Sequence, residues 1–294
     1  MKNKKEKDMK KVQQVMVATD RSAMAKEAVK RAISIAKEKD AQLFIIHVIE
    51  PPFIESPYLK EIDQNEITKA LKQEIDALNP EPKISYTLFL EHGNVADAII
   101  HRANQVQTDL LVVGSHGKND VQSNYLGSST LKLIQKTHIP VLLVKNEVRG
   151  TYQTMIAPTN MSESSKESII FANTLFAKSS RKYLFAHETF TELQSLTYHV
   201  SKEQLQSLQI EMEMNARDAL DEFAKEVGKG EKAFIHFKAS VNEDLLAYII
   251  QEKADLLVLG SKGVDNFNSF VFGSTASFLL QKSPTDVLVY VPSS

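Results

Sequence analysis

Two glycine-spaced segments are the part of this chain best suited to chemistry. The segment GSHG at residues 114–117 is followed by nine residues and then by GSST at 127–130. The same spacing returns as GSKG at 260–263, nine further residues, and GST at 273–275. Glycine permits sharp turns, positive φ and a close approach of backbone to a ligand. A helix that starts after the last glycine presents unpaired N–H groups, which attract phosphate. The spacing therefore predicts two phosphate-binding loops.

The spacing differs from the two best-known phosphate motifs. It is neither the Walker pattern G-x-x-x-x-G-K-[ST] nor the dinucleotide pattern G-x-G-x-x-G. The hydroxyls of Ser128 and Ser274 can each add a hydrogen bond to the phosphate. The alternative reading is a pair of tight turns bordering a helix, with the Ser and Thr hydroxyls after Gly127 serving as helix caps. Because both spacings persist in two segments that otherwise differ, phosphate binding is the favoured interpretation.

The chain is an internal duplication. The run DLLVVGS at 109–115 recurs 146 residues later as DLLVLGS at 255–261, and LIQK at 133–136 recurs as LLQK at 279–282. Further upstream the offset is 140, which aligns Asp20 with Asn160 and His47 with His187. We expect a disordered Lys-rich tail at 1–11, a first domain at 12–149 and a second domain at 151–294.

Short apolar runs alternate with amphipathic segments in each copy. In the first copy, strands are expected at 15–18, 43–49, 84–90, 110–113 and 141–144, and helices around 29–36, 58–78, 95–103 and 131–136. In the second copy a longer polar helix is expected at 203–226. The fourth strand is apolar at every position, as expected for a strand buried on both faces of a parallel sheet. The order predicts an α/β fold built from βαβ units.

Composition excludes several classes of function. The chain of 294 residues has 35 basic and 37 acidic residues and no cysteine. It therefore has neither a disulfide framework nor a Cys-ligated zinc site, and it lacks the basic field that nucleic acid attracts. We expect a cytoplasmic protein with no nucleic-acid partner and no membrane association. The histidines show no metal-ligand spacing, so no metal site is predicted. No G-x-S-x-G nucleophile elbow occurs and Asp20 alone is not an acid/base pair, so no catalytic residue is predicted.

The whole pattern resembles the universal stress protein family, specifically its nucleotide-binding class, whose motif is G-x2-G-x9-G-[S/T]. An Asp that ends the first strand and a His-Val step that ends the second, present here as Asp20 and His47-Val48, extend the resemblance. It implies two Rossmann-like domains of the adenine nucleotide alpha hydrolase type, each a five-stranded parallel sheet with helices on both faces. It also implies that the fifth strands, 141–144 and 287–290, lie at sheet edges and pair as an intramolecular pseudo-dimer, with a further homodimer open.

The resemblance implies an adenine nucleotide as ligand, ATP first and ADP or AMP as alternatives. Mg²⁺ can accompany ATP, although the sequence shows no dedicated ligands for it. The implied nucleotide-binding residues of the first copy are Thr19, Asp20, Val48, Gly114, Gly117, Gly127, Ser128 and Ser129. Those of the second copy are Thr159, Asn160, Gly260, Gly263, Gly273, Ser274 and Thr275.

The second copy departs from the pattern in three places. Asn160 replaces Asp20, Glu188 follows the matched His187 where Val48 follows His47, and the segment 240–242 replaces the turn at Gly93. The nucleoside part of the site is therefore expected to be complete only in the first copy.

The implied function is ATP binding with a regulatory role in stress response. Two alternatives stay open. One is a slow ATPase or an enzyme that phosphorylates itself at Ser128, Ser129 or Thr130, and the other is an interaction scaffold that binds no nucleotide. His116 is either a phosphate contact or an exposed loop side chain.

Overall fold

The computed structural model describes residues 11–50, 63–81, 83–116, 126–188, 201–237, 240–260 and 273–290. The described chain divides into two compact units, the first ending at Thr151 and the second beginning at Tyr152. The predicted domain ranges, 12–149 and 151–294, stay predictions. The predicted tail lies outside the described residues, except for Lys11.

The first unit is a parallel five-stranded sheet with helices between the strands. Its elements are β1 (Gln14–Ala18), α1 (Ala23–Lys39), β2 (Gln42–Ile49), α2 (Gln64–Leu78), β3 (Tyr86–His92), α3 (Val95–Gln105), β4 (Leu110–Gly114), α4 (Ser128–Lys136) and β5 (Val141–Val144). The strand order is β3-β2-β1-β4-β5, and each pair is parallel. The chain thus builds the sheet outward from β1, first on one side and then on the other.

The second unit repeats this arrangement. Its elements are β6 (Thr154–Pro158), α5 (Glu163–Leu175), β7 (Ser180–Glu188), α6 (Lys202–Val227), β8 (Glu231–Phe237), α7 (Val241–Gln251), β9 (Leu256–Gly260), α8 (Ser274–Lys282) and β10 (Asp286–Tyr290). The strand order is β8-β7-β6-β9-β10, again with every pair parallel.

Helices cover both faces of each sheet. In the first unit α1 packs against α2 and α3 packs against α4, and in the second unit α5 pairs with α6 and α7 with α8. Right-handed crossovers to opposite sides of the central strand place the two pairs on opposite faces. The predicted fold class is therefore confirmed. Within the described residues, no helix combines the length and the apolar character needed to cross a bilayer.

The central strands form the core because they are covered on both faces. Val15, Met16 and Val17 of β1 are fully buried, and so are Leu110 and Leu111 of β4. The prediction from the continuous apolar run is confirmed at β4. The prediction was less accurate at β3, which runs from Tyr86 to His92. Ile84 lies before the strand, and the side chain of Asn79 bonds both of its backbone groups.

The predicted helix at 58–78 begins at Gln64 in the structure, where Asp63 caps it by accepting hydrogen bonds from the N–H groups of Asn65 and Glu66. Residues 58–62 lie outside the described part of the chain.

The aspartate that opens each copy of the DLLV repeat has a structural role. Asp109 Oδ2 accepts hydrogen bonds from the N–H groups of Gln13 and Gln14, both at 2.9 Å. Asp255 Oδ2 accepts in the same way from Gln153 at 2.8 Å and Thr154 at 2.9 Å. Each carboxylate therefore joins the start of the unit's first strand to the chain that enters its fourth strand.

Candidate functional site

The first unit has a cavity of about 500 Å³ at the carboxyl end of its sheet. β1 and β4 are neighbours, and the chain continues from them to opposite sides of the sheet. Ligands of open α/β sheets bind at such a switch point, beyond the carboxyl ends of the strands. The volume lies within the range of about 300–1,000 Å³ that is usual for small-molecule sites.

Every predicted residue of the first copy that the structure describes lines this cavity. These residues are Thr19, Asp20, Val48, Gly114, Gly127, Ser128 and Ser129. Gly117 lies outside the described residues. The apolar wall of the cavity, formed by Ile67, Val95, Ile99 and Leu133, was not predicted from the sequence. The spacing of Val95 and Ile99, which puts both side chains on one face of α3, could have indicated it.

The turn after β1 holds Asp20 in a defined position. Thr19 Oγ1 accepts a hydrogen bond from the N–H of Arg21 at 3.1 Å, and Asp20 Oδ1 accepts one from the N–H of Ser22 at 2.9 Å. Arg21 lies in the left-handed region, with φ of 68°. His47 Nδ1 lies 2.6 Å from the backbone oxygen of Thr19, so Nδ1 carries the hydrogen and donates it. The turn is therefore tied to the end of β2.

A contact from α2 supports the same turn. Arg21 Nε and Nη2 donate to Glu74 Oε1 at 3.0 and 2.6 Å. This hydrogen bond is the main reason that the pKa of the Arg21 guanidinium is raised. Both side chains are about one-third exposed, so the pair positions the turn more than it stabilises the fold.

Gly114 is required for a reason that the sequence analysis did not give. Of the two roles considered for it, a sharp turn or positive φ, the second does not apply, because Gly114 is absent from the described residues that have positive φ. Instead, a Cβ at Gly114 would lie 2.9 Å from the carbonyl carbon of Met24 and 3.0 Å from the nitrogen of Ala25. The glycine therefore lets the first turn of α1 pack directly on the end of β4.

The start of α4 supplies donors to the cavity. Gly127 is the N-cap, and its oxygen accepts the hydrogen bond from the N–H of Leu131 at 3.0 Å. The N–H groups of Ser128 and Ser129 belong to the first helical turn and have no carbonyl partner within the helix. Together with the helix dipole, they favour an anion at this end of the cavity.

Two polar side chains near α4 are engaged within the protein. Thr130 Oγ1 donates to the backbone oxygen of Gly114 at 3.2 Å. His116 Nδ1 lies 2.8 Å from Ser115 Oγ, and His116 Nε2 is buried with no hydrogen-bond partner among the described residues. The reading of His116 as an exposed loop side chain is therefore wrong, since the ring is half-buried and lines the cavity.

The second unit has a corresponding cavity of about 310 Å³. Its lining includes the predicted residues Thr159, Asn160, Gly260, Gly273, Ser274 and Thr275. Gly263 lies outside the described residues. The turn after β6 repeats the first turn, since Thr159 Oγ1 accepts from Met161 N–H at 2.9 Å and Asn160 Oδ1 from Ser162 N–H at 3.2 Å. A Cβ at Gly260 would lie 2.8 Å from the oxygen of Ser164.

Strand register corrects the expected match between His47 and His187. The N–H of Thr19 bonds the oxygen of Ile46, whereas the N–H of Thr159 bonds the oxygen of Leu184. Phe185 therefore occupies the position of His47. The second copy is two residues shorter between its first two strands, as the pairings of Gln14 with Gln42 and of Thr154 with Ser180 show.

The same register changes the other two expected departures. Ala186, not Glu188, takes the place of Val48, and it lines the second cavity. Ser240 caps α7 as Asn94 caps α3, so it does not replace Gly93. Residues 238 and 239, which precede Ser240, lie outside the described part of the chain. Of the three expected departures, the exchange of Asp20 for Asn160 stands unchanged.

Comparison with known proteins identifies the family. The model of the universal stress protein family matches residues 11–145 and 151–291. This chain belongs to the universal stress protein family. A universal stress protein of Methanocaldococcus jannaschii is 33% identical over 138 residues, which are 45% of this chain and 81% of that protein. Another, from Thermus aquaticus, is 30% identical over 133 residues, 45% of this chain and 97% of that protein.

A solved structure shares the fold over nearly the whole chain. It is a functionally unknown protein of Pseudomonas aeruginosa PAO1, with a TM-score of 0.70 and 18% identity, covering 96% of this chain and 93% of that one. The two ranges that the family model matches show that the chain contains two universal stress protein domains in tandem, as the repeat predicted.

Proposed function

We propose that the first universal stress protein domain binds an adenine nucleotide, with ATP as the leading ligand and ADP and AMP as alternatives. The observation that carries the proposal is the cavity of about 500 Å³ in the first domain, which is lined by every described residue that the resemblance implies for the first copy. Its lining combines the anion-binding donors at the start of α4 with the carboxylate acceptor of Asp20.

Each part of the nucleotide would have a partner in this cavity. The phosphates would meet the N–H groups and hydroxyls of Ser128 and Ser129. The ribose hydroxyls would donate to the carboxylate of Asp20, which repels phosphate and therefore suits the sugar. The base would lie against Val48 and the apolar wall that includes Ile99.

Mg²⁺ would reach this site mainly through the nucleotide. Within the described residues, no group of three His, Cys, Asp or Glu side chains is arranged to hold a metal ion. Mg²⁺ commonly binds through substrate phosphates, one or two carboxylates and water, so a dedicated protein cage is not required.

We propose weaker or altered binding in the second domain. The phosphate-binding part is retained in Gly273, Ser274 and Thr275, but Asn160, Phe185 and Ala186 change the part that would meet the nucleoside.

A binding role in the regulation of stress response is favoured over catalysis. The hydroxyl of Thr130 supports the loop because it donates to the backbone oxygen of Gly114, and Ala276, at the equivalent position of the second domain, has no hydroxyl that could be phosphorylated. Pairing of the two fifth strands as a pseudo-dimer, a further homodimer and a cytoplasmic location remain parts of the proposal that rest on the family resemblance.

Matched charge substitutions at the two helix starts test the proposal. Ser128→Asp places a carboxylate at the first residue of α4, where the helix dipole tolerates it but a phosphate is repelled. We expect titration calorimetry to show ATP affinity reduced at least tenfold in Ser128→Asp and retained at the first site in Ser274→Asp. In the unmodified chain, ATP at 100 times its dissociation constant should stabilise the fold by about 2.7 kcal/mol.

Two results would contradict the proposal. One is the absence of any thermal shift with ATP, ADP and AMP. The other is an equal loss of affinity in Ser128→Asp and Ser274→Asp, because the tighter site would then depend on α8 as much as on α4.

A further inference from the structure

The two cavities differ in charge at the second residue after the first strand of each domain, Asp20 in one and Asn160 in the other. Asp20 and Asn160 have the same backbone setting, since each accepts a hydrogen bond through Oδ1 from the N–H two residues later. The side chains are nearly equal in size, but a carboxylate only accepts hydrogen bonds, whereas an amide both accepts and donates.

The carbonyl of Asn160 is committed within the protein. Its Oδ1 accepts from the N–H of Ser162 at 3.2 Å and from the hydroxyl of Ser165 at 2.9 Å. At the position of Ser165 the first domain has Ala25, which offers no such donor. These two bonds fix the orientation of the amide, so its Nδ2–H₂ group is the end that a ligand in the cavity can meet.

The described lining of the second cavity contains no charged side chain, whereas Asp20 and Glu50 line the first cavity. Its polar groups are the amide of Asn160 and hydroxyls from the starts of α5 and α8. Such a lining attracts acceptor-rich groups and does not repel anions.

The second cavity also extends to a place that the first does not reach. Ser164 and Ser165, in the first turn of α5, line it, whereas neither Met24 nor Ala25 lines the first cavity. The second cavity, although smaller at about 310 Å³, therefore continues past Asn160 to the first turn of α5, a helix of 13 residues. An additional group there would meet the positive end of the helix dipole, near the carboxylate of Glu163, which pairs with Lys166.

We propose that the second domain prefers an adenine nucleotide that carries a second phosphate on its ribose, at the 2′ or the 3′ oxygen. The inference rests on the proposed function, because it assumes that a nucleotide phosphate lies at the start of α8. The ribose phosphate accepts from Asn160 Nδ2 and lies beside the first turn of α5. In the first domain the same group would face the carboxylate of Asp20, so that domain prefers an unmodified ribose.

The test uses the full chain with the first site silenced by Ser128→Asp. The probes are AMP, adenosine 2′,5′-bisphosphate and adenosine 3′,5′-bisphosphate, measured by titration calorimetry. We expect at least one bisphosphate to bind at least tenfold more tightly than AMP. Adding Asn160→Asp should weaken binding of that bisphosphate at least tenfold and should weaken AMP binding less. The new carboxylate can still accept from Ser162 and Ser165, so the turn is preserved.

The outcomes separate this inference from the proposed function. Equal affinity for AMP and both bisphosphates in Ser128→Asp would overturn the inference, and so would an unchanged preference after Asn160→Asp. If AMP still binds the first site of the Ser274→Asp chain in those cases, the further inference fails and the proposed function is retained. If no probe binds either single variant or the unmodified chain, both fail. Preference for one isomer supports the inference and identifies the ribose oxygen.

Discussion

Substitution of Gly114 by alanine tests why the first glycine of the motif is present. The new Cβ would lie 2.9 Å from the Met24 carbonyl carbon, 3.0 Å from the Ala25 nitrogen and 3.0 Å from the Met24 oxygen. All three are backbone atoms of α1, so no side chain can rotate away. Ala25 is only 4% exposed, and α1 must therefore shift within a packed core.

The expected loss of stability follows from two opposing effects. Overpacking of a core that must move its backbone costs about 1–3 kcal/mol. The smaller conformational entropy of alanine in the unfolded chain returns about 0.4–1 kcal/mol. We expect Gly114→Ala to lower the free energy of unfolding by about 1–2 kcal/mol, measured by urea denaturation followed by circular dichroism. Faster hydrogen exchange should appear at the first-turn amides of α1.

Gly93→Ala is the matched control, because Gly93 has φ of 117° and a Cβ there would meet nothing within 4 Å. Gly93→Ala should lower the free energy of unfolding through backbone strain alone, and its changes in amide hydrogen exchange should stay near the turn between β3 and α3. Gly260→Ala should reproduce the Gly114 effect at α5, since its Cβ would lie 2.8 Å from the Ser164 oxygen. Wild-type stability in Gly114→Ala, or exchange changes that spare α1, would refute the close-packing explanation.

Two further substitutions test buried and ionisable contacts. Tyr152→Phe removes the 2.6 Å hydrogen bond from the phenol to Asp286 Oδ2, and both residues are buried. It should lower the free energy of unfolding by about 1–3 kcal/mol in urea denaturation, and no change would show that the bond is not needed. Burial, followed by the hydrogen bond to Asp76, raises the pKa of Tyr86 to about 12. The pKa of Tyr86 in the folded chain lies above the unfolded value of 10.0. The stabilisation that its protonated phenol contributes is therefore complete below pH 10 and is lost as the pH rises toward 12. Tyr86→Phe should remove that part of the alkaline stability loss, and an unchanged pH profile would contradict the assignment.

The periodic and repeated patterns were sufficient to predict the fold. A strand covered on both faces must be apolar throughout, so β4 and its repeat β9 were visible as uninterrupted apolar runs. The spacing of the glycines placed a turn and a helix start after each run. These signals are local, and burial and helix geometry impose them directly on neighbouring residues.

Matching the two copies by sequence failed where the chain lengths differ. The alignment of His47 with His187 assumed a constant offset, but two residues are missing between β6 and β7. Only hydrogen bonding between strands shows that Phe185 takes the place of His47, because Thr159 pairs with Leu184. A shift of two keeps each side chain on the same face of the strand, so the alternation of apolar residues does not reveal it.

The sequence alone determined the duplication, the parallel α/β class and the two glycine-spaced loops, because each is written in residues close together along the chain. The tertiary structure decided which residues share a cavity and why Gly114 cannot carry a side chain. It also decided that the carbonyl of Asn160 is held by Ser165. These facts depend on how far atoms from separate segments approach one another, and spacing along the chain does not specify that distance.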